Sequence, residues 1–173
     1  ARTLTFIRDK GRDGFYAGEV ADLLVKEMKR GGGLITHQDL MQYNSKWRAP
    51  LRGTYKDYGI ITMGPPSGGG IILLQMLGTI EDYKVSNSKG KFSDYLHIKT
   101  EMERRIFADR AAYMADVDFY PVPVNQLIAK DYLLERFKNF NPDKATPSSE
   151  IKEGEIVQES EETTHFSIID PDG

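Results

Sequence analysis

A strand-like run follows directly after an acidic, polar segment near the C-terminus of this 173-residue chain. The run, residues 163–170, contains aromatic and β-branched side chains that suit a pleated, half-buried surface. Its first residue, Thr163, has two interpretations. It could open an edge strand, or its hydroxyl could attack the preceding carbonyl and cut the chain. The freed α-amine, with a pKa near ~8, would then act as the base for that hydroxyl. The spacing of the residues does not choose between them.

The segment before this run, residues 141–162, has its own composition. It contains seven acidic residues and two lysines, and its few apolar residues show no period. Prolines and serines interrupt regular structure throughout it. The pattern predicts a solvated linker, which could bring Thr163 to a distant site and move away after cleavage behind it.

The composition excludes several classes of site. The chain has no cysteine, which excludes disulfide scaffolds, thiolate zinc sites and cysteine nucleophiles. Its net charge is −3 with both signs interspersed, so nothing favours a nucleic-acid partner. The apolar content of 39% and the charged content of 28% are typical of a globular protein. We see no membrane-spanning run and no signal peptide, and both ends suggest a fragment.

Hydrophobic periodicity predicts a helix-rich chain with one β-hairpin. We expect helices over residues 4–10, 16–30, 71–83, 93–114 and 125–140. A further short helix begins after Thr36, where Asp39 completes a capping pattern. Two strands, 51–56 and 59–63, are predicted to pair as a hairpin joined at residues 57–58.

Two glycine-rich stretches each have two interpretations. The triplet Gly31, Gly32 and Gly33 could cradle a phosphate, but it follows a helix, which favours a helix stop. The glycines at 68–70 precede a helix and could present N–H groups to an anion. For these we favour close packing of the helix against neighbouring backbone.

Ionisable side chains recur along the longest predicted helix. Glu101, Arg105 and Asp109 lie four residues apart and can form a ladder of ion pairs. His97 and Glu101 have the spacing of two metal ligands, but no third ligand is apparent, so we expect no metal site. In the following loop, we interpret Asp116 and Asp118 as caps and turn formers in preference to metal ligands.

Five short motifs occur in order along the chain. They are GFYAGEVA at 14–21, GGLIT with a later DL and Tyr over 32–43, PLRGTY at 50–55, FADR with a later Tyr and DVDF over 107–119, and TTHFSIID at 163–170. Together they resemble the gamma-glutamyltransferase (gamma-glutamyltranspeptidase) family, covering the C-terminal half of its large subunit and the start of its small subunit. Any one motif would be weak, whereas five in order, with the linker and the threonine in place, are specific.

The resemblance implies an N-terminal nucleophile hydrolase, whose complete enzyme is a four-layer αββα sandwich. We therefore expect an α+β fold, of which this chain is a helix-rich part with a few strands. Three segments are implied: residues 1–140 as the helical end of the large subunit with its hairpin, 141–162 as a flexible acidic linker, and 163–173 as the truncated first strand of the small subunit.

The resemblance also implies an activity. A precursor would cleave its own Glu162–Thr163 bond, and Thr163 would then attack the γ-glutamyl carbonyl of glutathione or a related compound. The acyl-enzyme would pass its acyl group to water, an amino acid or a peptide. The implied partners are these substrates and the remaining small-subunit chain, with no cofactor and no metal. Because Glu162 is still joined to Thr163 here, we expect a precursor-like or truncated state.

The resemblance has one visible departure, because the family has two serines where Ser67 is followed by Gly68. We expect this change to affect local loop packing. The arginine that binds the substrate carboxylate should precede Ala1, and the oxyanion donors should follow Gly173. An acyl-transfer site depends on such donors, so we expect the chain alone to be inactive. Family analogy implies a periplasmic, secreted or cell-surface location.

Other functions remain open at this point. Related branches that hydrolyse cephalosporin side chains or transfer poly-γ-glutamate share the same pattern. A chain of another class, a non-catalytic interaction module, could dock its terminal strand onto a partner's sheet.

Overall fold

The computed structural model describes residues 1–83 and 91–156. The chain divides into two compact units, the first formed by Ala1–Trp47 and the second beginning at Arg48. The two residues of the expected cleavage bond, Glu162 and Thr163, lie outside the described residues.

The first unit contains four helices: α1 (Arg2–Lys10), α2 (Asp13–Tyr16), α3 (Gly18–Gly31) and α4 (His37–Gln42). Ala21 and Val25 of α3 are buried and pack with Leu40 of α4, which confirms the predicted apolar face of α3. The predicted start of α3 at Tyr16 was wrong, because Ala17 is extended (φ −134°, ψ 166°) and separates α2 from α3.

The predicted stop of α3 and the predicted start of α4 are both confirmed. Gly32 has the left-handed conformation (φ 71°), and the N–H of Gly33 donates to the Met28 carbonyl over 2.8 Å. The glycine triplet is therefore a helix stop. At the start of α4, the Thr36 hydroxyl accepts from the Asp39 N–H and the Asp39 carboxylate accepts from the Thr36 N–H. This reciprocal pair is a capping box.

The second unit begins with an antiparallel hairpin of β1 (Leu51–Tyr55) and β2 (Tyr58–Thr62). Leu51 pairs with Thr62, and Tyr55 pairs with Tyr58. The turn is therefore formed by Lys56 and Asp57, one residue earlier than predicted, and Lys56 has a positive φ of 51°.

The main core of the second unit lies where α5 (Gly69–Tyr83), α6 (Phe92–Tyr113) and α8 (Lys130–Phe137) meet. Its buried side chains are Ile98, Met102, Ile106 and Phe137, with partly buried α5 residues packed against them. A Cβ on Gly70 would overlap the Met63 carbonyl, so α5 begins against neighbouring backbone, as the packing interpretation predicted.

The helix predicted over 125–140 is wrong as a single element. The structure has α7 (Val124–Leu127) and α8, separated where Ala129 is extended (φ −67°, ψ 138°). Phe140 packs on Phe137, with ring centroids 4.7 Å apart, but lies beyond the end of α8. Apolar residues on both sides of the break explain why the pattern looked continuous.

The described residues form a helix-rich α+β structure with one two-stranded sheet, which confirms the expected fold class. Within residues 1–83 and 91–156, none of the helices combines the length and the apolar character needed to cross a membrane.

Candidate functional site

Five side chains of α6 form a stripe: His97, Glu101, Arg105, Asp109 and Tyr113. Residues four apart lie on nearly the same face of a helix, so this stripe runs roughly 24 Å along α6. Each of its members binds a residue of the segment 139–154. We call these five residues the α6 stripe.

The Glu101 carboxylate is buried and holds Thr146 at two points. Its Oε1 accepts from the Thr146 N–H over 2.9 Å, and its Oε2 accepts from the Thr146 hydroxyl over 2.6 Å. Arg105 donates to the same Oε2 over 2.7 Å. Arg104 adds a longer bond to Oε1. All lone-pair directions of this 1% exposed carboxylate therefore face donors.

The Arg105 guanidinium lies between Glu101 and the segment that follows α8. It is only 3% exposed, and it donates both to the Glu101 side chain and to the Glu101 carbonyl. Its other nitrogen donates to Asn139 Oδ1 over 3.0 Å. The guanidinium also lies over the Phe137 ring, 5.6 Å from the centroid. The buried positive charge is thus paired with Glu101, and both Nη atoms of the guanidinium donate hydrogen bonds.

The Asp109 carboxylate, also 1% exposed, pairs with an arginine of α8. Arg136 Nε donates to Asp109 Oδ2 over 3.1 Å, and Arg136 Nη2 lies 2.9 Å from Oδ1. The same Nη2 donates to the carbonyls of Arg105 and Lys152. This arginine therefore joins α6, α8 and the following segment.

Gly154 is the buried end of the anchored segment. Its N–H donates to Asp109 Oδ1 over 2.9 Å, and its carbonyl accepts from the Tyr113 hydroxyl over 2.5 Å. A Cβ on Gly154 would lie 2.5 Å from the Tyr132 hydroxyl and would overlap Arg136 Cδ. Only glycine fits this position without movement of its neighbours.

These contacts and the burial of the site shift three pKa values, and the first is the pKa of Tyr113, which burial raises. Burial alone would raise the pKa of Glu101, but hydrogen bonds from Thr146 and Arg105 lower it to about 2. Burial raises the pKa of Tyr132, and the nearby Asp109 carboxylate raises it further. Both groups keep one protonation state near neutral pH: Glu101 is charged and Tyr132 is neutral.

The predicted ladder of ion pairs is half right. The Glu101–Arg105 pair is confirmed, whereas Asp109 pairs with Arg136 of α8 instead of Arg105. Glu101, Arg105 and Asp109 are also buried, whereas His97 and Tyr113 are half-buried. Sequence reasoning missed Arg136 and Gly154 as partners, because no pattern along the chain links residues so far apart.

His97 has a hydrogen-bonding role in the structure. Its Nε2 lies 2.8 Å from the Asn141 carbonyl oxygen, at the beginning of the anchored segment. Among the described residues there is no cluster of three potential metal ligands. The pairing of His97 and Glu101 is therefore explained by their shared place in the α6 stripe.

The loop after α6 follows its predicted turn chemistry. The Asp118 N–H donates to Asp116 Oδ1 over 3.0 Å, and Asp118 pairs with Arg48 over 2.9 Å. In the serine–glycine loop before α5, a Cβ on Gly68 would lie 3.3 Å from Met114 Sδ and 3.4 Å from Arg110 Nε. A serine there would need these two flexible side chains to shift by a few tenths of an ångström.

The first residues of the segment predicted as a solvated linker, 141–150, are exposed apart from Thr146, yet the segment is held on α6 by hydrogen bonds. Residues 141–154 run along α6 in the same direction as the helix, from Asn141 at His97 to Gly154 at Tyr113. Gly154 is held through both its N–H and its carbonyl, and Thr163 is the ninth residue after it. Nine residues span at most ~30 Å. Thr163 and the residues that lead to it, 157–162, lie outside the described part.

Comparison with known proteins agrees with the motifs. The family model of gamma-glutamyltranspeptidase matches residues 1–173. A glutathione hydrolase proenzyme from Pseudomonas aeruginosa is 44% identical over 176 residues, which cover 100% of this chain and 31% of that protein. An acylase proenzyme from a Pseudomonas species is 36% identical over 173 residues, covering 100% of this chain and 30% of that protein.

A solved structure extends the similarity to three dimensions. The crystal structure of Helicobacter pylori gamma-glutamyltranspeptidase has a TM-score of 0.78 and is 45% identical. The match covers 92% of this chain and 46% of that one. The chain thus spans about a third of the length of the curated relatives it matches.

Proposed function

This chain belongs to the gamma-glutamyltranspeptidase family, and we propose that it is part of a self-cleaving γ-glutamyl transferase or hydrolase. It supplies the C-terminal part of the large subunit and the first residues of the small subunit. The proposed segments are residues 1–140, the acidic segment 141–162 and the first small-subunit strand 163–173. The active site is completed by chain outside these residues.

Self-cleavage proceeds through the side chain of Thr163. Its Oγ1 attacks the Glu162 carbonyl carbon, the C–N bond between the two residues breaks, and the hydroxyl proton passes to the released amine. The resulting ester is hydrolysed by water, which leaves a carboxylate on Glu162 and frees both the amine and the hydroxyl of Thr163. Nucleophile and base then belong to one residue.

The same hydroxyl carries out turnover. It attacks the γ-glutamyl carbonyl of glutathione or a related donor, and the leaving amine takes a proton as the amide C–N bond breaks. Water, or the amine of an acceptor amino acid or peptide, then attacks the ester and restores the hydroxyl. The freed α-amine of Thr163, with a pKa near ~8 in its unperturbed state, is the base at each attack.

One observation carries the proposal. The family model matches the whole chain, so the acidic segment and Thr163 fall within the matched residues. Relatives named as glutathione hydrolase proenzymes are precursors by name, which supports processing of this chain. Glutathione as donor, the small-subunit partner and a location outside the cytoplasm are proposed on the same basis.

An acylase is the second candidate activity, because an acylase proenzyme is also a relative. Its identity of 36% is lower than the 44% of the glutathione hydrolase proenzyme, so γ-glutamyl chemistry is preferred. Transfer of poly-γ-glutamate and non-catalytic docking by strand addition have less support.

The experiment is a substrate comparison with the full-length parent protein. We expect hydrolysis of a γ-glutamyl anilide, at a rate well above that of a glutaryl anilide, which lacks the α-amine. Thr163→Ala should abolish both activities, and Thr163→Ser should retain part of them. Equal or faster hydrolysis of the glutaryl compound would favour the acylase, and no hydrolysis of either would favour the interaction module.

A further inference from the structure

This inference rests on the proposed function. We infer that Asp109 and Tyr113 are positioning residues for self-cleavage, because together they clamp Gly154 and so fix the start of the tether that carries the Glu162–Thr163 bond. We call these three residues the Gly154 clamp. It acts on the precursor and makes no contact with substrate.

The clamp fixes direction as well as position. Asp109 Oδ1 accepts from the Gly154 N–H over 2.9 Å, and Tyr113 donates to the Gly154 carbonyl over 2.5 Å. Because the N–H and the carbonyl of Gly154 are held at the same time, the direction in which the chain continues after Gly154 is fixed. A single bond would fix the place but leave the chain free to rotate.

The clamp also fixes the register of the segment. Gly154 is buried, whereas its neighbours Glu153 and Glu155 are exposed. A shift by one residue would place a glutamate side chain against the Tyr132 hydroxyl and Arg136 Cδ, where even a Cβ does not fit. The number of residues between the clamp and Thr163 is therefore constant.

Tether length sets how often the scissile bond meets its site. The clamp lies nine residues before Thr163, and the next contact back along the segment, from Arg136 Nη2 to the Lys152 carbonyl, lies eleven residues before it. The effective concentration of a tethered group falls roughly as the −3/2 power of tether length. Release of the clamp would thus lower it only about 1.4-fold from length alone, so the main expected loss is one of orientation.

After cleavage the clamp remains within the large subunit. Asp109, Tyr113 and Gly154 all precede the cut, so the new C-terminus at Glu162 stays attached through Gly154. Turnover by the processed enzyme depends on Thr163 and not on this tether. Processing and turnover should therefore respond differently to loss of the clamp.

The experiment compares variants of the full-length parent during self-cleavage. Tyr113→Phe removes one hydrogen bond at nearly constant volume, and Gly154→Ala introduces the clash. Matched controls are Tyr58→Phe, where the tyrosine is 71% exposed, and Gly59→Ala, where nothing lies within 4 Å of the new Cβ. Intact mass over time gives the rate at which the chain beginning at Thr163 appears.

A two-chain version separates positioning from folding. Here the large subunit ends at Glu162 and the small subunit begins at Thr163, so no cleavage is needed. We expect Tyr113→Phe and Gly154→Ala to slow processing at least about twofold in the single chain, because the hold on Gly154 is weakened, with unchanged controls. In the two-chain version the same variants should hydrolyse a γ-glutamyl anilide at the wild-type rate.

Three results would overturn the inference. Tyr113→Phe could process at the wild-type rate, which would show that the clamp does not position the bond. Tyr113→Phe could reduce anilide hydrolysis in the two-chain version by the same factor as it slows processing in the single chain, which would assign Tyr113 to the fold alone. A wild-type parent that never cuts before Thr163 would instead reject the proposed function, and the inference with it.

Discussion

Glu101 and Thr146 are 45 residues apart in the chain, yet one buried carboxylate receives both the N–H and the hydroxyl of the same threonine. This contact holds part of an acidic, proline-containing segment against α6, and we call the held residues, 141–154, the strap. A buried carboxylate that is hydrogen-bonded and paired with an arginine stabilises the fold only while all of its partners remain, because losing one leaves a buried charge unpaired. The strap and the stripe are therefore mutually dependent.

Glu101→Gln should strongly destabilise the second unit. The amide retains one acceptor but leaves Arg105 without its buried counter-charge, and breaking such a pair costs roughly 3–5 kcal/mol. The measurement is thermal unfolding of the uncut parent carrying Thr163→Ala. Glu103→Gln is the control, because its Lys99 pair is partly exposed and should contribute at most about 1 kcal/mol. Equal shifts for the two variants would contradict the account.

The strap should loosen in acid through Glu101. Its pKa is lowered from 4.5 to about 2, so its contribution to stability is complete above pH 4.5 and is lost as pH falls toward 2. Hydrogen exchange at the Thr146 amide, corrected for the intrinsic rate, should show protection decreasing across this range. Glu101→Gln should remove this dependence. Constant protection from pH 5 to pH 2 would contradict the proposed role of the carboxylate.

Neighbouring glycines at the start of α5 should respond oppositely to alanine. Gly70→Ala places a Cβ into the Met63 carbonyl, so it should lower the unfolding temperature. At Gly69 the nearest atom to a new Cβ is Ser67 Oγ at 3.8 Å, an ordinary contact. Gly69→Ala should be neutral or stabilise by about 0.5–1 kcal/mol. Similar effects of the two substitutions would show that close packing does not explain Gly70.

Local signals in the sequence predicted much of the fold. The capping box at Thr36 and the helix stop at Gly32 depend on residues within a few positions of each other, and both are confirmed. The break between α7 and α8 escaped prediction because apolar residues lie on both sides of Ala129. Hydrophobic periodicity identifies the buried face of a helix, but it does not reveal a break in the helix when apolar residues continue on both sides of the break.

The candidate site divides in the same way. The four-residue spacing of Glu101 and Arg105 predicted their ion pair. The partners Arg136 and Gly154 come from α8 and from the strap, and only the packing of α6 against both brings them together. The acidic composition of residues 141–162 indicated solvent exposure. It could not show that backbone groups of Thr146 and Gly154 bind two buried carboxylates.

The most direct measurement is intact mass and N-terminal sequencing of the full-length parent after incubation, beside its Thr163→Ala variant. We expect a new chain that begins at Thr163 in the parent, and an uncut variant. A parent that hydrolyses γ-glutamyl anilide while the Glu162–Thr163 bond stays intact would contradict it, because the nucleophile would then lie elsewhere.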